Sequence, residues 1–292
     1  MKKIILTTFF TLLILQSWSC GIVQNVAINS TAGILDYGIE AVFEEEDLAT
    51  AEQSIPANLK LLEALYKAGG KKDKHLLFLL TQGYTGYTLG FVEDENLERA
   101  ALLYARAKEY GLTALKKNEK FNTAFNEDIT TFTKSLDSFS KDDVPLIFWT
   151  ANAWGNLLNV SISNPAVLGE LPKVNAMMNF VLKNDEKYFY GGAHLYFATI
   201  LATIPKNLGG KPDSAKVHFE KCFSISHNKF LLAHVYMAKS YCVQTQNKEL
   251  FQQLLTTVDT TSLDVLPEQK LVNAIAKRKA KKLSEKIDDL FF

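Results

Sequence analysis

The chain has 292 residues, 47% hydrophobic, 22% charged and 11% aromatic, which is enough apolar material for a substantial core and too much for a disordered chain. Its 32 basic and 32 acidic side chains cancel, removing the electrostatic drive on which nucleic-acid binding depends. Three cysteines in a chain of this size exclude a disulfide scaffold, and Cys222 and Cys242, on apolar helical faces, are expected to be buried free thiols.

At the N-terminus, Lys2 and Lys3 precede an apolar run from Ile4 to Leu15, and Ser17-Trp18-Ser19 leads into Cys20-Gly21. That order predicts a bacterial lipoprotein export signal over residues 1–19, with lipid on the Cys20 thiol. Ser17 departs from the Leu usual there, and ordinary secretion or an uncleaved anchor is the plainer alternative. The run falls short of the roughly 20 apolar residues that a membrane-spanning helix needs. Acyl chains, contributing about 0.8 kcal/mol per buried methylene, would hold the protein on the periplasmic face of the cell envelope. Residues 20–30 then serve as a tether, and 20–292 form a single all-α domain.

Beyond the signal the periodicity is helical, and prolines and glycine pairs cut it into segments. A first helix is predicted over Val23 to Gln53, broken near Gly33. Others follow at about 56–68, 73–90, 95–116, 121–139, 145–160, 171–183, 192–205, 212–224, 229–246, 248–257 and 267–291, with ends uncertain by about two to four residues. Within them a tetratricopeptide-like mark recurs: a small residue, an aromatic four later, a small residue three after that. Ala100-Tyr104-Ala107 and Ala215-Phe219-Cys222 carry it, Ala176-Phe180 carries two thirds of it, and Leu250-Leu254-Thr257 is a weaker copy after Ala238 and Tyr241. Their intervals of 76, 39 and 35 residues lie near multiples of the ~34-residue period, so the expected fold is a helical-repeat solenoid of antiparallel helix pairs.

Three segments are candidates for a groove. Gly83, Gly86 and Gly90 share a helical face beside an aromatic stripe of Tyr84, Tyr87 and Phe91, a pattern that serves either close helix packing or a ligand wall. Trp149 and Trp154 diverge on a strongly apolar helix, whereas Asn152 and Asn156, four apart, share a face and must find partners, whether a ligand or a neighbouring helix. In Tyr188-Phe189-Tyr190-Gly191-Gly192-Ala193-His194 an aromatic cluster opens a helix, whose free amides could receive an anion, or forms a turn packed on the next unit.

Enzyme signatures are missing. The five histidines show no zinc-binding His pair with an intervening Glu, there is no Cys-x-x-Cys, no phosphate-binding glycine loop and no Gly-x-Ser-x-Gly elbow. No cofactor, metal or catalytic residue is expected. The closing helix carries Lys277-Arg278-Lys279 and Lys281-Lys282 beside apolar positions, as either an array-capping helix or a lipid-touching stripe.

Taken together, Cys20, Asp47-Leu48-Ala49, Ile55-Pro56-Ala57-Asn58, Gly83 to Glu93, Glu98-Arg99-Ala100 with Tyr104, Arg106 and Ala107, Tyr190 to Leu195 and the final helix from Asn273 resemble the TatT component family of tripartite ATP-independent periplasmic (TRAP) transporters. The resemblance implies a periplasmic lipoprotein that forms a homo-oligomer, docks a solute-binding protein and admits a small apolar or amphipathic organic ligand. Tyr84, Tyr87, Phe91, Arg106, Trp149, Asn152 and Tyr190 are the residues expected to meet that ligand. The alternative is a lipoprotein scaffold whose concave face binds a protein segment in cell-envelope assembly.

Overall fold

The computed structural model describes residues 35–68, 73–161, 169–203 and 210–291. The signal at 1–19, Cys20 and the tether at 20–30 lie outside them. Every regular element among the described residues is helical. In chain order they are α1 (35–44), α2 (Leu48–Ala68), α3 (Lys74–Tyr87), α4 (Leu97–Leu115), α5 (Glu119–Ala124), α6 (Ile129–Ser135) and α7 (Val144–Val160). They continue with α8 (Leu171–Asp185), α9 (Tyr188–Thr203), α10 (Pro212–Ser226), α11 (Leu231–Tyr236), α12 (Lys248–Thr260), α13 (Lys270–Ser284) and α14 (Ile287–Leu290).

Local chemistry explains most boundaries. Asp73, Asn96, Asn118, Asp128 and Asn247 each accept backbone N–H groups of the first turn they cap. Pro145, Pro172 and Pro212 stand in first turns, where a missing N–H costs nothing. Pro56 departs from this rule and from the boundary expected there. It lies inside α2, in a helix that begins eight residues earlier than predicted. The Glu52 carbonyl that loses its partner sits at an exposed position, where water can replace it. The helix expected to run on to Gln53 is interrupted at 45–47, and the break expected near Gly33 lies outside the described residues. The helix expected over 121–139 is two short helices and a 3-10 turn, because Asp128 caps a second start, and the closing segment divides into a 3-10 turn, α13 and α14.

The repeat marks are core contacts: Ala100, Tyr104, Ala107, Ala215, Phe219 and Cys222 are fully buried. Cys222 and Cys242 are free, and burial pushes both thiols up to about 12. Helices near in sequence pack together, α3 on α4, α7 on α8 and α9 on α10, as arrays of helix pairs do. The last long helix, however, returns to the first ones. α13 packs on α2, its Ile275 contacts Gly90, and its Arg278 donates to the Gly90 carbonyl. Lys279 pairs with Asp94 at 2.6 Å, Lys282 pairs with Glu95, and Lys277 donates to the Asp259 carbonyl at 2.5 Å. The basic residues of α13 therefore tie it to the segment between α3 and α4 and to α12. Among the described residues no helix is long and apolar enough to cross a membrane.

Candidate functional site

Between the early and late helices lies a cavity of about 700 Å³, within the range of small-molecule sites. Its walls come from α1 and α2 (Val42, Leu59), α3 and the turn after it (Gly86, Phe91), α7 (Trp149, Asn152), α9 (Leu195, Ile200), α11 (Leu232) and α13 (Ile275). Aliphatic and aromatic groups dominate. Among the described lining residues Glu93 and Lys239 are the two charged ones.

A π-helical turn shapes one wall. Thr88–Val92 continues α3 with one residue more per turn, and the Glu93 N–H reaches back to the Thr88 carbonyl at 2.9 Å. The turn stacks Tyr87 on Phe91, with centroids 5.8 Å apart, and the Arg278 guanidinium lies over the Phe91 ring, 4.8 Å from its centroid. A second π-turn, Met237–Cys242, follows α11 and brings Lys239 and Ser240 to the cavity. The glycines divide by role. A Cβ at Gly83 would lie 2.7 Å from Leu59 and one at Gly90 2.7 Å from Ile275, whereas one at Gly86 would meet open space.

Trp149, Asn152 and Asn156 extend the wall along α7. Asn156 donates to Asn152 at 2.8 Å, so the pair satisfies part of its own polarity, and the Trp149 indole donates to the Tyr188 hydroxyl at 3.2 Å. Trp154 points elsewhere: its indole donates to Glu170 at 2.6 Å and its ring stacks on Phe125.

At the head of α9 the chain takes three successive left-handed residues, Phe189 (φ 46°), Tyr190 (φ 58°) and Gly191 (φ 78°). Gly191 tolerates this; two bulky aromatics do not without support. Support comes from packing, with the Phe189 ring 4.8 Å from Trp149 and 5.6 Å from Phe230, and Tyr190 stacked 5.2 Å from Phe230. Strain of this kind concentrates where a structure fixes a side chain for use, and Phe189 is a cavity wall. Of the two readings of this segment, the left-handed run forms the turn packed on its neighbours, with Gly191 against Cys222 and Ile225 of α10 and both aromatics against Phe230. His194, one turn on, shares a 2.9 Å Nδ1–Nδ1 hydrogen bond with His218, whose pKa is lowered by burial and then by the His194 charge. Among the described residues no group of three or more His, Cys, Asp and Glu could hold a metal ion.

Of the residues chosen from sequence, Tyr87, Phe91, Trp149 and Asn152 line the cavity together. Tyr84 and Arg106 do not. They join a polar cluster between α2, α3 and α4 centred on Glu63, which accepts from Tyr84 at 2.7 Å, Tyr110 at 3.0 Å and Lys60 at 2.7 Å, with Arg106 at 3.6 Å. Burial raises the Glu63 pKa, but the hydrogen bonds from Lys60, Tyr84 and Tyr110 outweigh it and hold the carboxyl at about 2. Tyr190 stands behind Phe230 and donates to Glu268 at 3.0 Å. Sequence reasoning reached the α9 wall through the Tyr188–His194 segment, of which Phe189 and Gly192 line the cavity, but missed the walls from α11 and α13, with Tyr236 and Lys239. Only the order of the helices, not any local motif, could have pointed to them.

A family model described as the TRAP transporter T-component matches residues 44–291. A protein of Treponema pallidum (strain Nichols), called only an uncharacterized protein, is 22% identical over 277 residues, covering 89% of this chain and 85% of its own length.

Proposed function

The chain belongs to the TRAP transporter T-component family, and from that premise we propose that it is a lipid-anchored periplasmic protein that binds a small apolar or amphipathic organic molecule and docks a TRAP solute-binding protein. The observation that carries the ligand half is the cavity of about 700 Å³ with Tyr87, Phe91 and Trp149 in its walls. Covering apolar ligand surface there contributes about 25 cal/mol per Å², and Asn152 offers a polar contact. The signal and Cys20 support export and anchoring, and the family resemblance supports a homo-oligomer and the receptor partner. Catalysis has no part in this reading.

Walls contributed by the first and last helices favour a molecule held inside over a protein segment laid on an open concave face. Native mass spectrometry of the mature chain carrying Cys20→Ser, alone and with candidate solute-binding proteins, tests both halves. A retained organic molecule and capture of one receptor are expected, and Tyr87→Ala with Trp149→Ala should abolish retention while circular dichroism stays helical. A bare monomer that ignores every receptor would overturn the proposal in favour of the envelope scaffold.

A further inference from the structure

Beside the apolar cavity lies a second, smaller space of about 150 Å³ with the opposite chemistry. Four lysines line it, Lys239, Lys279, Lys282 and Lys286, against two carboxylates, Glu93 and Asp94, an excess of two positive charges. Glu93, Tyr236 and Lys239 belong to the walls of both spaces. We infer that the ligand is an amphiphilic anion, its apolar body in the large cavity and its single anionic head in this basic chamber. The inference rests on the ligand reading proposed above and deepens it.

The charges in the chamber are unequally committed. Lys279 is neutralised by Asp94 at 2.6 Å, and Lys282 reaches Glu95 outside. One oxygen of Glu93 is taken by the Tyr104 hydroxyl at 2.6 Å. Among the described residues no carboxylate is in ion-pair contact with Lys239 or Lys286, so two ammonium groups remain for an incoming anion. Lys279, Lys239 and Lys282 all act on Asp94, which places them on the same small volume. Burial also keeps the Tyr236 phenol protonated at the junction, so it adds no negative charge. A neutral ligand would leave this positive excess unused, and a cation would be repelled by it.

The mature full chain carrying Cys20→Ser is titrated with decanoate, decanol and decyltrimethylammonium, and binding is read from tryptophan fluorescence, since Trp149 lines the cavity. Decanoate should bind about tenfold more tightly than decanol, as hydrogen bonds to a charged group allow, and the ammonium probe more weakly than either. Lys239→Gln with Lys286→Gln should erase the preference for decanoate, read as the ratio of decanoate to decanol affinity within the same variant. Removing the same charge at the exposed Lys120→Gln and Lys187→Gln should preserve it. Equal binding of decanoate and decanol, preference for the ammonium probe, or a preference that survives loss of Lys239 and Lys286 would overturn the anionic head and leave the apolar cavity standing. Binding of none of the three probes would overturn the cavity reading as well.

Discussion

The two π-turns that flank the cavity share a backbone device and differ in chemistry. Each continues a helix of the first or second half, and each is followed by the same pattern, Val92 with Asn96 and Val243 with Asn247, the asparagine capping the next helix. In the first turn Thr88 is sealed, its hydroxyl bonded to the Tyr84 carbonyl, and Leu89 and Phe91 face the cavity. In the second, the position matching Thr88 is the exposed Lys239, and Ser240 stands where the first has Leu89. A repeated turn thus supplies two walls at one opening, and side chains alone make one apolar and the other charged. Shared backbone geometry places both walls, and the side chains that differ between the two turns set the chemistry of each.

If the halves differ as described, matched substitutions should cost different amounts. Phe91 is buried, stacked on Tyr87 and in contact with the Arg278 guanidinium. Phe91→Ala should therefore lower unfolding free energy by about 3–5 kcal/mol. At the matching position Cys242→Ala removes one small buried thiol and should cost about 1 kcal/mol. Urea unfolding of the two variants measures the contrast directly, and equal losses would break it. Tyr104 provides a second asymmetry, for its hydroxyl bonds the buried Glu93 while the second half places Leu255 at that position. Tyr104→Phe strands a buried carboxylate oxygen and should cost about 1–3 kcal/mol, measurable in the same titration.

The first half also carries the Glu63 cluster, which gives it a pH response. The Glu63 carboxyl falls from an ordinary 4.5 to about 2 in the folded protein. A depressed folded value means stability that is fully present above pH 4.5 and lost as pH falls toward 2. Glu63→Gln should remove roughly 1–3 kcal/mol at neutral pH and little at the acid end. Unfolding midpoints that shift equally at both pH values would show that the four hydrogen-bond and ion-pair partners of Glu63 do not depend on its charge.

Much of this fold is legible in the sequence, for physical reasons that can be named. Asn96, Asn247 and Pro145 declare helix starts because capping and proline geometry are local. Ala100-Tyr104-Ala107 declares a buried face because its spacing is helical. Gly86, Tyr87 and Phe91 declare a cavity wall for the same reason, although Tyr84 on the neighbouring stripe turns to Glu63 instead. The π-turns were not legible, since an extra residue per turn changes no composition, only register. Nor was the part played by Lys239, which depends on α11 and α13 returning to the early helices, a contact between residues far apart in the chain. The left-handed Phe189 and Tyr190 were hidden because aromatics normally exclude that conformation, and only their packing on Trp149 and Phe230 permits it.

The smallest expected effect sharpens the comparison most, because stability and binding should move in opposite directions. Gly86 corresponds to Met237 in the second half, where the side chain is packed and buried. Nothing lies within 4 Å of a Cβ built at Gly86, and that Cβ would enter the cavity. A helix interior normally selects against glycine, by about 0.5–1 kcal/mol relative to alanine. Gly86→Ala should therefore raise the unfolding free energy by that amount, and Gly86→Met, restoring the repeat, should fill space that a ligand would occupy. The expected pair of results is a higher melting temperature for both variants with weaker decanoate or decanol binding, most for Gly86→Met. Unchanged binding with higher stability would mean the ligand lies toward α9 and α11. Lower stability would mean that the π-turn after Gly86 needs the bare backbone for its own geometry, and that the first half differs from the second in backbone as well as in side chains.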